Sequence, residues 1–201
     1  MYYEKDFLYT VAKYECIYVN YKVFRVLSDT ESPQGILAVI GKKDEKEFKF
    51  TDDVIIMLDG IQDPGNLGTI IRTIDSVGLN QLILSENTVD PYNAKVIRST
   101  MGAVFRVNIL QNQNLENVTE ELKEDGYKVI ATSLGTNKKY FDVEYNKVAV
   151  IIGNEAKGIA DNIIKHADIK IKIPMLGKTE SLNAAVATGV VLYEYVRQKL
   201  M

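Results

Sequence analysis

Residues 54–77 read VIIMLDGIQDPGNLGTIIRTIDSV and contain a complete pattern of strand, turn and helix. The apolar run from Val54 to Leu58 is typical of a strand. Pro64 and Gly65 form a turn. Beyond the turn, the apolar residues fall at the i, i+3, i+4, i+7 spacing that lines one face of a helix: Leu67, Ile70, Ile71, Ile74 and Val77. We assign this stripe to the core and assign none of its residues a catalytic or binding role.

The same alternation continues to the end of the chain. Further strands are predicted at Gln81 to Leu84, Phe105 to Ile109, Tyr127 to Ala131, Val148 to Ile152 and Ile169 to Ile173. Helices are predicted at Asn66 to Val77, Asn93 to Met101, Leu115 to Asp125, Gly158 to Lys165 and Glu180 to Lys199. Strands that alternate with helices favour crossover units, and the prediction is therefore an α/β fold with a mainly parallel sheet.

The first 50 residues have a different pattern. Short strands are predicted at Cys16 to Val19, Val23 to Val26 and Gly35 to Ile40, and the polar run from Lys42 to Lys49 is typical of a connector. This part is too short for a complete second domain. We therefore divide the chain into a partial small α/β domain with its linker at residues 1–48 and the main domain at residues 49–201.

The amino-acid composition limits the classes of function that the protein can have. The 201 residues are 46% hydrophobic and 25% charged, which is ordinary for a globular protein that folds on its own. The formal net charge of −3 argues against a protein that holds nucleic acid mainly by broad electrostatic attraction, although one local basic patch can suffice.

The single cysteine and the single histidine exclude several kinds of site. Cys16 and His166 are the only ones of their kinds, which excludes a disulfide framework, most zinc sites and catalysis by paired histidines. The start, MYYEKDFLYT, has no signal-peptide pattern, and no apolar run approaches the ~20 residues that cross a bilayer. We expect a cytoplasmic protein without a membrane partner.

Polar residues gather where three predicted strands end, which is where open α/β sheets bind ligands. The first segment is LDGIQDPGNLG at 58–68, and Arg72 follows it in the helix. Its Asn66 is placed either to cap the helix or to take part in a site. Arg72 lies off the apolar stripe and is either a solvated surface residue or a functional cation. The second segment, VIIGNEAKG at 150–158, permits close approach of its backbone to a ligand. Its Glu155 could equally cap the following helix.

The third segment is IKIPMLGKTESLN at 171–183. Its Gly177-Lys178-Thr179 resembles the end of a phosphate-binding loop, but Lys172 stands where that loop needs a glycine. No Gly-x-Gly-x-x-Gly occurs either, which counts against a dinucleotide enzyme. Ser181 and Asn183 could be simple helix caps.

Taken together, in order and spacing, these segments resemble the three motifs of the SpoU (TrmH-like) RNA ribose methyltransferases of the SPOUT superfamily. The stretch IRSTMGAVF at 97–105 is a fourth similar segment, and the resemblance covers residues 52–200. It implies a parallel α/β sheet with a C-terminal trefoil knot, and a homodimer that packs through the knotted region and the last helix.

The resemblance also implies a site. S-adenosylmethionine would be held largely by backbone groups, at Thr132, Ser133, Gly153, Asn154, Ile173, Met175 and Leu182. The catalytic positions would be Arg72, Asn66, Glu155, Ser181 and Asn183. Arg72 would act on the ribose hydroxyl either as a base or, since a guanidinium normally stays protonated, as a cation that stabilises the alkoxide or positions a phosphate. No metal is required.

The stretch from Leu27 to Ala38 resembles the end of the RNA-binding domain that often precedes the knot in this family. Its earlier half is absent, and we expect a truncated chain because strands without partners are seldom kept. This resemblance favours ribosomal RNA over transfer RNA as the substrate.

Three other functions stay open at this point. They are methylation of a base nitrogen, a non-catalytic RNA-binding module of the same fold, and a small-molecule α/β enzyme that uses another nucleotide. Ser181-Leu182-Asn183 with Asn66 and Arg72 fits the ribose-directed branch better than the base-directed one.

Overall fold

The computed structural model describes residues 14–28, 30–42 and 48–201. The chain divides into two compact units, residues 1–44 and 45–201. In the described residues of the first unit, the one regular element is helix α1, Tyr21–Ser28. The Asn20 side chain accepts a hydrogen bond from the Val23 amide at 3.0 Å, which satisfies a donor at the start of this helix.

The three short strands predicted in the first unit are wrong. Val23 to Val26 lies inside α1, because the Asn20 cap and helical pairing of the backbone prevail over the local β preference of valine. Cys16 to Val19 and Gly35 to Ile40 are irregular, and no described segment pairs with either. Most of the predicted connector, residues 43–47, lies outside the described residues.

The second unit is built on a six-stranded sheet in the order β3-β2-β1-β5-β4-β6, with every pair parallel. The strands are β1 Val54–Asp59, β2 Gln81–Ser85, β3 Asn108–Gln113, β4 Lys128–Thr132, β5 Val148–Gly153 and β6 Ile169–Ile171. The helices are α2 Pro64–Ser76, α3 Ala94–Thr100, α4 Leu115–Glu124, α5 Asp161–Ile164 and α6 Ala184–Lys199, with a 3-10 turn at Ala103–Phe105. The predicted parallel α/β class is confirmed, and the trefoil knot stays a prediction.

Both faces of the sheet are covered, which is why its central strands are apolar throughout. Ile56 and Leu58 of β1 point into one core with α2, α3 and α6. Ile55 and Met57 point into a second core with α4 and α5. The alternation of side chains along a strand produces this division.

Several predicted boundaries move, three of them for identifiable reasons. Phe105 belongs to the 3-10 turn that follows Gly102, whose φ is 87°, so β3 begins three residues later than predicted. The helix predicted from Gly158 begins at Asp161, because Gly158 has a φ of 70° and pairs with Asn154. The helix predicted from Glu180 begins after its cap, Asn183. Strand β6 ends at Ile171.

Within the described part of the chain, no helix is long and apolar enough to span a bilayer. The carboxyl ends of β1, β5, β4 and β6 lie side by side, because Asp59 pairs with Gly153 and Thr132 with Ile171. This edge of the sheet is therefore where side chains and loops can converge on a ligand.

Candidate active site

A cavity of about 500 Å³ lies at the carboxyl ends of β4, β5 and β6 and beside the start of α6. All seven residues predicted to hold the cofactor line it: Thr132, Ser133, Gly153, Asn154, Ile173, Met175 and Leu182. Glu155 and Ser181, from the predicted catalytic group, line it too. The volume falls in the range of pockets that enclose small organic ligands.

The wall formed by residues 153–158 depends on close contact between backbones. A Cβ on Gly153 would lie 2.3 Å from the carbonyl carbon of Gly158 and 2.4 Å from the amide nitrogen of Ile159. The Asn154 amide donates to the Gly158 carbonyl at 3.1 Å, and the Gly158 amide donates back at 2.8 Å. Only glycine fits at position 153 without a shift of this loop.

The Asn154 side chain holds the same loop in shape. Its Oδ1 accepts hydrogen bonds from the amides of Ala156 at 2.9 Å and Lys157 at 3.2 Å. Its Nδ2 donates to the Gly60 carbonyl at 2.8 Å, which ties the loop to the end of β1. The polar atoms of the Asn154 side chain thus bind backbone groups, and these bonds hold the pocket in shape.

Asp59 supports the cavity wall from outside, a role that the sequence analysis missed. Its carboxylate accepts a hydrogen bond from the Ala160 amide at 2.8 Å and so fixes the far end of the same loop. An acidic residue at the carboxyl end of the first strand was the available signal.

The opposite wall is the loop after β4. Thr132 Oγ1 donates to the Ile151 carbonyl at 3.0 Å, and the Ser133 amide donates to the Ile171 carbonyl at 2.8 Å. The Ser133 hydroxyl accepts from the Gly135 amide at 3.2 Å. These bonds join the ends of three strands and leave a wall made largely of backbone.

A chain of hydrogen bonds connects three of the predicted catalytic side chains. Asn183 Nδ2 donates to Asn66 Oδ1 at 2.9 Å, and Asn66 Nδ2 donates to the Glu155 carboxylate. Asn183 also caps α6, because its Oδ1 accepts from the Ala185 and Val186 amides. The cap fixes the direction of the Asn183 amide and, through it, the direction of Asn66.

Asn66 is not the cap of α2, so its purely structural interpretation is wrong. The cap is Asp63, whose carboxylate accepts from the Asn66 amide at 2.8 Å, with Pro64 in the first helical position. The alternative for Glu155 also fails, because the helix that follows begins after Ala160 and has no side-chain cap.

Arg72 stands apart from the other four predicted catalytic residues. It is exposed on α2, and among the described residues its guanidinium has no hydrogen-bond or ion-pair partner. It does not line the cavity. The structure therefore brings together Asn66, Glu155 and Asn183, places Ser181 in the adjoining cavity, and leaves Arg72 outside.

The residues that line the cavity suit an organic ligand with an apolar ring and a polar tail. Apolar surface comes from Ile152, Ile171, Ile173 and Leu182, and the glycines among the lining residues let the backbone form part of the wall. Across the described ranges, no group of three or more His, Cys, Asp or Glu side chains is arranged to hold a metal ion.

The model of the SpoU rRNA Methylase family matches residues 53–193, which contain the sheet, the cavity and the hydrogen-bonded chain. The chain belongs to this family. The resemblance drawn from the three segments is confirmed.

Similar proteins agree with this assignment. The chain is 36% identical over 180 residues to the 23S rRNA (guanosine(2553)-2'-O)-methyltransferase RlmP of Bacillus subtilis, covering 89% of this chain and 71% of that protein. It is 39% identical over 144 residues to the uncharacterized tRNA/rRNA methyltransferase MG252 of Mycoplasma genitalium, covering 70% of this chain and 60% of that protein. The chain thus spans less than two thirds of the Mycoplasma protein.

A solved structure shares the fold. The AdoMet-bound rRNA methyltransferase of Sinorhizobium meliloti superposes with a TM-score of 0.79 at 33% identity. The match covers 90% of this chain and 71% of that one. This coverage exceeds the length of the second unit, so the match extends into the first.

Proposed function

We propose that this protein transfers a methyl group from S-adenosylmethionine to the ribose 2′-hydroxyl of an RNA nucleotide, in ribosomal RNA in preference to transfer RNA. One observation carries the proposal. The seven positions expected to hold the cofactor line one cavity, and the Asn183, Asn66 and Glu155 chain lies at its rim. The name of the Bacillus relative, a 23S rRNA 2'-O-methyltransferase, supports the choice of ribosomal RNA.

The cavity fits the cofactor by the chemistry of its walls. Apolar side chains such as Ile171 and Leu182 suit the adenine ring, and the loops at 133–135 and 153–158 bring backbone to the cavity wall. When bound, S-adenosylmethionine supplies a methyl group activated by its sulfonium. The protein then has to bind, orient and provide electrostatics.

The acceptor hydroxyl has to be held in line with the methyl group while it gives up or shares its proton. Glu155 supplies a carboxylate beside the cavity, and the Asn66 amide holds that carboxylate in one orientation. Ser181 adds a hydroxyl on the cavity wall. These groups orient the ribose, and Arg72 provides the positive charge that stabilises the alkoxide or binds an adjacent phosphate.

The functional unit is a homodimer that packs through the knotted region and α6. Support comes from an apolar stripe at helical spacing on the face of α6 that is turned away from the core: Val186, Gly189, Val190 and Tyr193. Val186 is 52% exposed and Tyr193 58% exposed, and exposed apolar side chains that form a continuous stripe mark a protein–protein interaction surface.

The test is methyl transfer from labelled S-adenosylmethionine to an unmodified 23S rRNA transcript, with a tRNA pool in parallel. Arg72→Ala should abolish transfer and leave cofactor affinity within about twofold, since Arg72 does not line the cavity. Lys165→Ala removes an exposed cation from the other face of the sheet and serves as the control. Equal activity of Arg72→Ala and wild type would remove the catalytic assignment. Cofactor binding without transfer to either RNA would identify a non-catalytic binding module.

A further inference from the structure

Four lysines lie together at the β6 edge of the sheet: Lys138, Lys139, Lys170 and Lys172, which we call the lysine patch. The loop at 136–140 runs beside β6 and is bonded to it. The Lys172 amide donates to the Lys138 carbonyl at 2.9 Å, and the Tyr140 amide donates to the Lys172 carbonyl at 2.9 Å. The positions of the four lysines relative to one another are therefore set by backbone pairing.

Lys170 and Lys172 project from the same side of the strand. Ile169 and Ile171 turn into the core, so the alternate residues turn away from it. Two residues along a strand span about 6.6 Å. The Lys172 ammonium reaches Asn137 Oδ1 at 3.4 Å, which brings it towards the loop that carries the other two lysines.

The patch is positively charged in an acidic protein. None of its four lysines forms an ion pair with any residue that the structure describes. One carboxylate, Asp142, belongs to the same two segments, and it accepts a hydrogen bond from the Lys139 amide. Residues 136–142 and 169–172 together carry a net charge of +3, against −3 for the whole chain.

The patch adjoins the cavity. Lys172 lines it, and the loop that continues from the patch supplies Ser133 and Gly135 to the same wall. An aromatic ring lies beside the lysines, because Phe141 is 44% exposed and Lys139 Nζ is 5.3 Å from its centroid. Cations next to an exposed ring are the combination that binds phosphates and stacks bases.

We propose that the lysine patch binds the phosphate backbone of the RNA strand next to the nucleotide being methylated, with Phe141 available to stack on a base. The inference rests on the proposed function, which it extends by assigning a path for the substrate. RNA fits better than an acidic protein, because the cations follow a strand edge that leads into the cavity where the target ribose has to enter. A surface of this kind reconciles RNA binding with the acidic net charge.

The test compares two triple variants. Lys138→Gln/Lys139→Gln/Lys170→Gln removes three charges from the patch and leaves the cavity residue Lys172 in place. Lys128→Gln/Lys147→Gln/Lys165→Gln removes three exposed charges elsewhere, two of them at the amino ends of β4 and β5. The affinity of each chain for an unmodified 23S rRNA transcript is measured over a series of salt concentrations, with S-adenosylmethionine titrated in parallel.

The patch variant should bind S-adenosylmethionine as wild type does, which also shows that it is folded. The slope of log Kobs against log salt should become shallower by about 2 to 3, since each lost phosphate contact removes about 0.7 to 0.9. In the transfer assay, the KM for RNA should rise while kcat changes little.

An unchanged slope in the patch variant, an equal loss in the control variant, or a wild-type chain that does not bind the transcript would each overturn the proposal. Different outcomes would refute the proposed function and the lysine patch. Wild type that binds RNA through the patch and never methylates it would refute the enzyme, and wild type that methylates with an unchanged slope would refute the patch alone.

Discussion

Replacing Gly153 by alanine tests whether the cavity depends on close backbone contact. The added Cβ would lie 2.3 Å from the carbonyl carbon of Gly158, where ordinary contact begins near 3.4 Å. The loop therefore has to move by about 1 Å, and the movement breaks the two hydrogen bonds between Asn154 and Gly158.

The expected cost follows from those two bonds. A net contribution of about 0.5–1.5 kcal/mol for each gives about 1–3 kcal/mol in total. If the cofactor binds the loop in the conformation described here, this amount reappears as a loss of affinity of about 5- to 150-fold. Calorimetric titration with S-adenosylmethionine and with its demethylated product measures the loss directly.

Gly177→Ala is the matched control, because nothing lies within 4 Å of the Cβ that it would add. It should bind the cofactor as wild type does. The reasoning is refuted if Gly153→Ala, shown to be folded by its thermal unfolding, binds S-adenosylmethionine with wild-type affinity. It is also refuted if Gly177→Ala weakens binding to the same degree.

Two further predictions concern the last helix. Asn183→Ala should lower the free energy of unfolding by about 0.5–2 kcal/mol through loss of the cap and should also reduce methyl transfer, because Asn66 loses its donor. Asn114→Ala removes the cap of α4 at a similar cost in stability and should leave methyl transfer intact. Equal activity of the two variants would contradict a catalytic role for the hydrogen-bonded chain of Asn183, Asn66 and Glu155. The hydrogen bond from Arg197 lowers the pKa of the buried Glu194 below its ordinary 4.5. The pair therefore contributes its full stabilisation above pH 4.5, and this stabilisation disappears as the pH falls through the lowered pKa of Glu194. The difference in Tm between wild type and Arg197→Leu should shrink on acidification from about pH 6 to about pH 3, and a constant difference would disprove the assignment.

The repeating part of the fold follows from sequence periodicity. β1 and α2 were predictable because a short apolar run and a long amphipathic stripe differ in period, and the resulting cores dominate the free energy of folding. The first unit was not predictable in the same way. Valines at 23 and 26 prefer strands weakly, and a strand preference without a partner strand does not outweigh a capped helical turn.

The site was predictable in part. Its cavity residues came from a resemblance of motifs, since backbone recognition leaves little trace in side-chain chemistry. The exact start of α2 had a signal that was overlooked, because proline favours the first helical position and so makes Asp63 the cap. That choice frees the Asn66 side chain to join Glu155 and Asn183, which local sequence rules do not reveal because these residues lie 89 and 117 positions away.

The location of the transferred methyl group tests the central claim most directly. The purified chain is incubated with labelled S-adenosylmethionine and an unmodified 23S rRNA transcript, and the RNA is then hydrolysed with alkali. A methylated 2′-hydroxyl cannot attack its own phosphodiester, so the account predicts that the label is recovered in an alkali-resistant dinucleotide. Recovery of the label in mononucleotides would place the methyl group on a base and contradict the account.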